Sequence, residues 1–366
     1  MKLIKIMLPV IALLAVGTGC ANKNDVNNNA NKNDVKVAEQ HNNEESLDEE
    51  NRILYERCTN LNDEVACNNL GYSYGTGQGV KQDYSKANIY YEKACNMNYG
   101  TGCFNLGIFY AKGKGVKQDY KKANTYYEKA CNLNNGSGCN NLGNLYDSGI
   151  GVKQDYKKAL TFYEKACNLN DGSGCHNSGY FYDSGIGVKQ DYKKANTYYE
   201  KACNLNNGSG CNNLGNLYDS GIGVKQDYKK ALTFYEKACN MNNGGGCFNL
   251  GKIYGEGKGV KQDYSKAKSY YEKACTLDES KGCTNLGFSY TKGLGVRQDM
   301  SVAVSYYEKG CNLNEDIACN NLGFLYENGV GVRQNRTTAK EYYGKSCDLG
   351  NQTGCDNYRE LNEQGY

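Results

Sequence analysis

The chain carries nineteen cysteines, and eighteen of them form a ladder. They stand in pairs at Cys58 and Cys67, Cys95 and Cys103, Cys131 and Cys139, Cys167 and Cys175, Cys203 and Cys211, Cys239 and Cys247, Cys275 and Cys283, Cys311 and Cys319, and Cys347 and Cys355. From Cys67 to Cys355 the second member of each pair recurs every 36 residues. Thiols in such numbers either oxidise to disulfides or, as thiolates, hold zinc. Tetrahedral zinc sites use closer cysteine spacing, often completed by histidine, and only His41 and His176 are present. No metal and no cofactor are therefore expected. Oxidative pairing points to a stapled chain built for an oxidising compartment.

Two pairings are open to the ladder. Cys103 can meet Cys131 within one unit, or Cys131 can meet Cys139 across the turn into the next. The ends decide between them: the first scheme orphans Cys58 and Cys355, and the second orphans none. The expected bridges are Cys58–Cys67, Cys95–Cys103, Cys131–Cys139, Cys167–Cys175, Cys203–Cys211, Cys239–Cys247, Cys275–Cys283, Cys311–Cys319 and Cys347–Cys355.

Other residues repeat with the ladder. Two positions after the second cysteine of each pair stands asparagine: Asn69, Asn105, Asn141, Asn177, Asn213, Asn249, Asn285, Asn321 and Asn357. An amide donates and accepts at once, which matches the alternating groups of an extended peptide backbone. The first eight are candidate peptide-binding residues, with inter-repeat bonding as the competing role. Beside them, positions 72, 108, 144, 180, 216, 252, 288 and 324 vary and form a candidate specificity track, with Phe288 and Phe324 favouring an apolar ligand at one end. Nucleophilic chemistry is poorly represented. Ser265-x-x-Lys268 and Ser289-x-x-Lys292 match the first element of a serine β-lactamase, but a chain this rich in Ser and Lys yields such matches by chance. The companion Ser-Asp-Asn and Lys-Thr-Gly elements are absent. His176 and Ser178, two apart on a helix, do not face each other and read as a drifted repeat.

The elements that position these residues are two helices per repeat. Cys139, Leu142, Leu145 and Tyr146 share one helical face, and Gly149-Ile150-Gly151-Val152 ends that helix. Asp155 is placed as the N-cap of a second helix whose stripe is Ala159, Phe162, Tyr163, Ala166 and Cys167, with Lys157, Lys158, Glu164 and Lys165 facing water. Gly143, Ala159 and Tyr163 have counterparts of the same type in all eight full copies. Stacked αα-hairpins form a solenoid, expected here as a right-handed superhelix with a concave side. Residues 115–168 are identical to 187–240, a displacement of two repeats, which fits function through extended surface.

Outside the repeats the chain changes character. Residues 1–19 read as a signal peptide: Lys2 and Lys5, then an apolar run from Ile6 to Val16 too short to span a bilayer comfortably. Gly17-Thr18-Gly19-Cys20 resembles a lipoprotein box with Cys20 lipidated, although Gly17 replaces the usual branched residue; cleavage by an ordinary signal peptidase is the alternative. Residues 20–50 are Asn, Asp, Lys and Glu with few apolar groups and form an expected disordered tether. Residues 51–65 form an N-terminal cap helix, 66–353 the eight repeats, and 354–366 a C-terminal cap helix, where Tyr358 and Arg359 replace the Leu and Gly of the repeats. The net charge of +3 does not support a nucleic-acid partner, and membrane contact is expected only through a lipid anchor.

The pattern Cys-x-x-Leu-Gly-x-x-Tyr, then Gly-x-Gly-Val-x-x-Asp, then Ala-x-x-x-Tyr-x-Lys-Ala-Cys resembles Sel1-like repeats across residues 51–366, and the paired cysteines make it similar to the Helicobacter cysteine-rich protein family. The resemblance implies an all-α, TPR-like α/α solenoid. The chain is expected to be exported, as a periplasmic or surface lipoprotein or else secreted, and to bind extended peptide or protein ligands of host or cell envelope. The resemblance also implies an alternative: a penicillin-binding protein with weak β-lactamase activity, acting on β-lactams or peptidoglycan fragments.

Overall fold

The computed structural model describes residues 47–366, and those residues form helices with no strand among them. The signal peptide expected at 1–19, the lipidation at Cys20 and most of the 20–50 tether lie outside the described residues. Eighteen helices follow in order from Asp48. The first, α1, runs Glu49–Asn60; each repeat then supplies a helix A and a helix B. Repeat one is α2 (Glu64–Thr76) and α3 (Tyr84–Asn96); repeat two, α4 (Gly100–Lys112) and α5 (Tyr120–Asn132); repeat three, α6 (Gly136–Ser148) and α7 (Tyr156–Asn168). Repeat four is α8 (Gly172–Ser184) and α9 (Tyr192–Asn204); repeat five, α10 (Gly208–Ser220) and α11 (Tyr228–Asn240); repeat six, α12 (Gly244–Glu256) and α13 (Tyr264–Thr276). Repeat seven is α14 (Ser280–Lys292) and α15 (Met300–Asn312), repeat eight α16 (Asp316–Asn328) and α17 (Arg336–Asp348), and α18 (Gln352–Glu363) closes the stack.

Local chemistry explains the hairpin. In repeat three the Asn135 side chain accepts the Gly138 N–H at 2.8 Å and caps α6. Gly149 ends that helix at φ 71°, a left-handed conformation that costs an L side chain energy. Asp155 accepts the Lys158 N–H at 3.0 Å and starts α7. The turn into the next repeat is short. It passes through Asn170 at φ 60°, one of the few non-glycine residue types that tolerate left-handed backbone.

The A–B contact rests on one ring. Tyr163 of α7 is 1% exposed and lies against Gly143 of α6. A methyl at Gly143 would sit 2.6 Å from the ring, so only glycine allows the approach. The Tyr163 hydroxyl donates to Asn144 Oδ1 at 2.8 Å, and burial raises its pKa. Tyr146 of α6 stacks on Phe162 of α7 at 5.5 Å, with the Lys158 ammonium 5.3 Å from the Tyr146 centroid.

Nine disulfides join each B helix to the following A helix, from Cys58–Cys67 to Cys347–Cys355, with Cα separations of 4.4 to 4.7 Å. Repeats also meet through side chains. Phe181 of α8 packs edge-on to Tyr163 at 5.3 Å. Glu164 does not simply face water: its Oε1 accepts the hydroxyls of Tyr182 and Tyr198, both 2.9 Å away on the next repeat, so the stack gives this carboxylate a half-buried role. The Tyr182 pKa is pushed up to about 12, chiefly by burial and then by this bond.

The helices at the ends start earlier than the composition suggested. α1 begins at Glu49 because Asp48 accepts the Asn51 N–H at 2.9 Å, and Glu49 and Glu50 suit the positive end of a helix. Asn51 is buried and donates to the Gln78 carbonyl at 3.0 Å, tying α1 to repeat one. α18 begins at Gln352, capped by Asn351, and buries Leu361 while Tyr358 and Arg359 stay exposed.

Candidate functional site

Successive A helices touch each other along the stack to a greater extent than successive B helices do. The asparagine ladder lies on this shared face, and the structure divides it. Asn105, Asn177, Asn249 and Asn357 each donate to the asparagine that follows the second cysteine of the preceding repeat: Asn68 at 2.9 Å, Asn140 at 2.9 Å, Asn212 at 2.9 Å and Asn320 at 3.1 Å. Asn213 makes the same rung to His176 Nε2 at 3.3 Å. These amides are half-buried and engaged between repeats.

The remaining members differ. Asn69 is exposed and takes a weak bond from its neighbour Asn68 at 3.3 Å. Asn141, Asn285 and Asn321 face Phe104, Phe248 and Thr284, and no rung forms at any of them among the described residues. The position after the cysteine therefore decides which ladder asparagines are engaged. Its signal was present in the sequence as the Asn-Asn doublets at 68, 140, 212 and 320 and their replacement by Phe, His or Thr elsewhere.

Asn285 and Asn321 each line a cleft. One, of about 370 Å³, is bounded by Phe288 and Phe324 of the variable track, by Ile317, and by Tyr307 and Lys292. The other, of about 260 Å³, shares Phe288 and reaches Tyr264 and Tyr271. Phe288, Ile317 and Phe324 are 43%, 49% and 54% exposed. The Lys292 ammonium lies 6.0 Å from the Phe288 centroid and pairs with no carboxylate among the described residues. An apolar side chain with an acidic neighbour matches this cleft in shape and charge.

The nucleophile candidates are not assembled. Ser265 is exposed, and Lys268 instead pairs with Glu272 at 2.7 Å. Ser289 is buried and donates to the Asn285 carbonyl of its own helix at 2.8 Å, while Lys292 lies over Phe288. Ser178 is fully buried and donates to the Gly174 carbonyl at 2.9 Å, pointing away from the His176 ring. No cluster of His, Cys, Asp and Glu suited to a metal exists among the described residues, and none of their helices is long and apolar enough to cross a membrane.

His176 has a consequence for stability. Its Nδ1 lies 3.2 Å from Asn177 Oδ1 and its Nε2 3.3 Å from the Asn213 amide nitrogen, an arrangement that fits the neutral ring with the proton on Nδ1. Burial lowers its pKa below the ordinary 6.5. The unfolded chain then binds the proton more readily, so this contribution is complete above pH 6.5 and is lost as pH falls toward the folded pKa. His176→Asn, which installs the rung of the other repeats, is expected to reduce the drop in Tm between pH 7.5 and pH 5. Calorimetry at the two pH values checks this; an equal drop in both proteins refutes it.

A family model described as Sel1 repeat matches residues 65–99, 101–135, 136–171, 172–207, 208–243, 245–279, 280–315 and 316–351. Among solved structures, the chain is similar to c5321, a protective antigen of uropathogenic Escherichia coli strains displaying an SLR fold: 28% identity over 86% of this chain and 68% of that one, TM-score 0.68. A Sel1 repeat protein from Oxalobacter formigenes is 31% identical over 66% of this chain and 98% of its own, TM-score 0.58. Helicobacter pylori cysteine rich protein B is 42% identical over 37% of this chain and 97% of its own, TM-score 0.31. No curated protein sequence matches the chain significantly.

Proposed function

Because the chain belongs to the Sel1 repeat family, we propose that it is an extracytoplasmic scaffold that binds peptide or protein partners along its A-helix face. The observation that carries this reading is the pair of clefts at repeats six to eight, where large apolar side chains stay in solvent beside asparagines that make no inter-repeat rung. Exposed apolar groups rimmed by polar ones mark contact surfaces. Asn285 and Asn321 are the ladder members proposed to bond ligand backbone there. Asn69 and Asn141 extend the same role toward the other end of the stack. The engaged amides at 105, 177, 213 and 249 hold the spacing of the track.

The nine bridges fit an oxidising, extracytoplasmic setting. Export by residues 1–19 and anchoring through Cys20, with the following residues as tether, complete the proposal; secretion without a lipid is its variant. A mass measurement of the mature N-terminus distinguishes the two. The β-lactam-hydrolysing alternative rests on the family resemblance, and nothing in the arrangement of Ser265 or Ser289 favours it.

Peptide arrays rich in apolar and acidic residues test the binding reading. Phe288→Ala with Phe324→Ala is expected to weaken binding at least about tenfold, since truncating a buried aromatic anchor commonly costs 2 kcal/mol or more. Tm should change little, because both rings are exposed. Unchanged binding in the double variant overturns the proposal.

A further inference from the structure

The hairpin topology gives the stack two long edges. All A-to-B loops lie along one, and all B-to-A turns with their disulfides lie along the other. The eight loop segments 77–86, 113–122, 149–158, 185–194, 221–230, 257–266, 293–302 and 329–338 together hold 21 Lys and Arg against seven Asp and no Glu. The nine turn segments 60–65, 96–101, 132–137, 168–173, 204–209, 240–245, 276–281, 312–317 and 348–353 hold eight acidic residues against one Lys. A chain whose whole net charge is only +3 is thus strongly polarised across its width.

The lysines of the loop edge are available. Lys117, Lys153, Lys157, Lys189, Lys193, Lys225 and Lys229 are exposed and pair with no carboxylate among the described residues. The aspartates within the loops are fewer than the lysines and are turned to the B helices they cap: Asp155 accepts the Lys158 N–H, Asp191 the Lys194 N–H and Asp227 the Lys230 N–H, while Asp147 and Asp183 at the adjoining A-helix ends face the Tyr163 and Tyr199 hydroxyls. Five consecutive loops, from 113–122 to 257–266, carry three or four lysines each. The clusters recur once per repeat, at regular steps along the edge.

We propose that this edge binds a linear acidic polysaccharide. A line of positive charge one repeat wide matches a linear polyanion better than a flat lipid surface. The positive groups in these five loops are all lysine, which meets anionic groups as point charges without demanding paired planar geometry. Tyr156, exposed at the start of α7, offers flat apolar surface to sugar rings beside those lysines. The disulfides place the folded chain where such polymers occur and nucleic acid is scarce. The site is separate from the A-helix clefts, so either assignment can fail alone.

Heparin-affinity chromatography of the oxidised full chain tests the assignment. The wild type is expected to be retained at about 0.15 M salt and released steeply as salt rises. Lys157→Gln, Lys193→Gln and Lys229→Gln combined should lower affinity about tenfold or more. The control triple Lys252→Gln, Lys273→Gln and Lys281→Gln, with the same charge change away from the loop edge, should elute near the wild type. Circular dichroism verifies that both triples fold. Equal losses in the two triples, or passage of the wild type through the column at 0.15 M salt, overturn the proposal. Tighter retention on phosphatidylglycerol vesicles or on a single-stranded oligonucleotide than on heparin also overturns it, in favour of a lipid or nucleic-acid partner.

Discussion

Full reduction is expected to unfold this protein at 37 °C, with loss of the cooperative helical signal in circular dichroism. Each bridge closes a loop with a sequence separation of eight or nine. By the chain-entropy model such a loop contributes about 2.5 kcal/mol. Nine of them together exceed the ~5–15 kcal/mol that typical domains have in total. The repeats cannot replace that contribution, because each buries only a few small or medium side chains around one tyrosine. The order of reduction is also expected. Cys347 and Cys355 are half-exposed, whereas both sulfurs of Cys131–Cys139 are fully buried. Limited reductant should therefore open the last bridge first. A reduced chain that keeps a cooperative melt at 37 °C, followed with thiol-alkylation mapping, would contradict the account.

The second large effect concerns the ring between helices. Tyr235→Ala is expected to cost about 3–5 kcal/mol, since Tyr235 is 1% exposed and fills the A–B contact of its repeat. Gly215→Ala is expected to cost about 1–3 kcal/mol, because its methyl would stand 2.6 Å from two ring carbons of Tyr235. The two losses should not add: with Tyr235 gone, a methyl at 215 meets empty space and its cost should largely vanish. Tyr235→Phe removes only the bond to Asn216 Oδ1 and should cost about 1 kcal/mol. A repeat weakened in mid-stack also uncouples its neighbours, so the melt should broaden or split. Denaturant titration of the four variants checks the cycle; strict additivity would show that the ring contact is not what glycine protects.

Much of this was legible beforehand because the information is local and repeated. Helix periodicity, the capping Asp155 and the left-handed Gly149 are properties of one segment, and eight copies state them again. What depended on neighbours was harder to read. Glu164 looks solvent-facing within α7, and only the next repeat brings Tyr182 and Tyr198 to it. The asparagine ladder looks uniform, yet the residue after the cysteine of the preceding repeat, Asn212 for Asn249 but Phe248 for Asn285 and Thr284 for Asn321, separates the engaged amides from the others. The basic edge was hidden by the near-balanced net charge, since opposite charges collect on opposite sides of the same hairpins. The serine motifs failed for a different reason: a three-residue match fixes spacing along a helix but not the groups that would activate an oxygen.

The small covalent loops also bear on how the chain answers mechanical load. Each bridge shields the residues between its cysteines, so a pull on the two termini can lengthen only the stretch from one sulfur pair to the next, 28 residues between Cys103 and Cys131. At about 3.4 Å per residue, one ruptured unit yields roughly 95 Å of slack. Tension would be relieved in equal short steps while every joint between units stays closed. A chain built this way would extend under load in limited, equal steps.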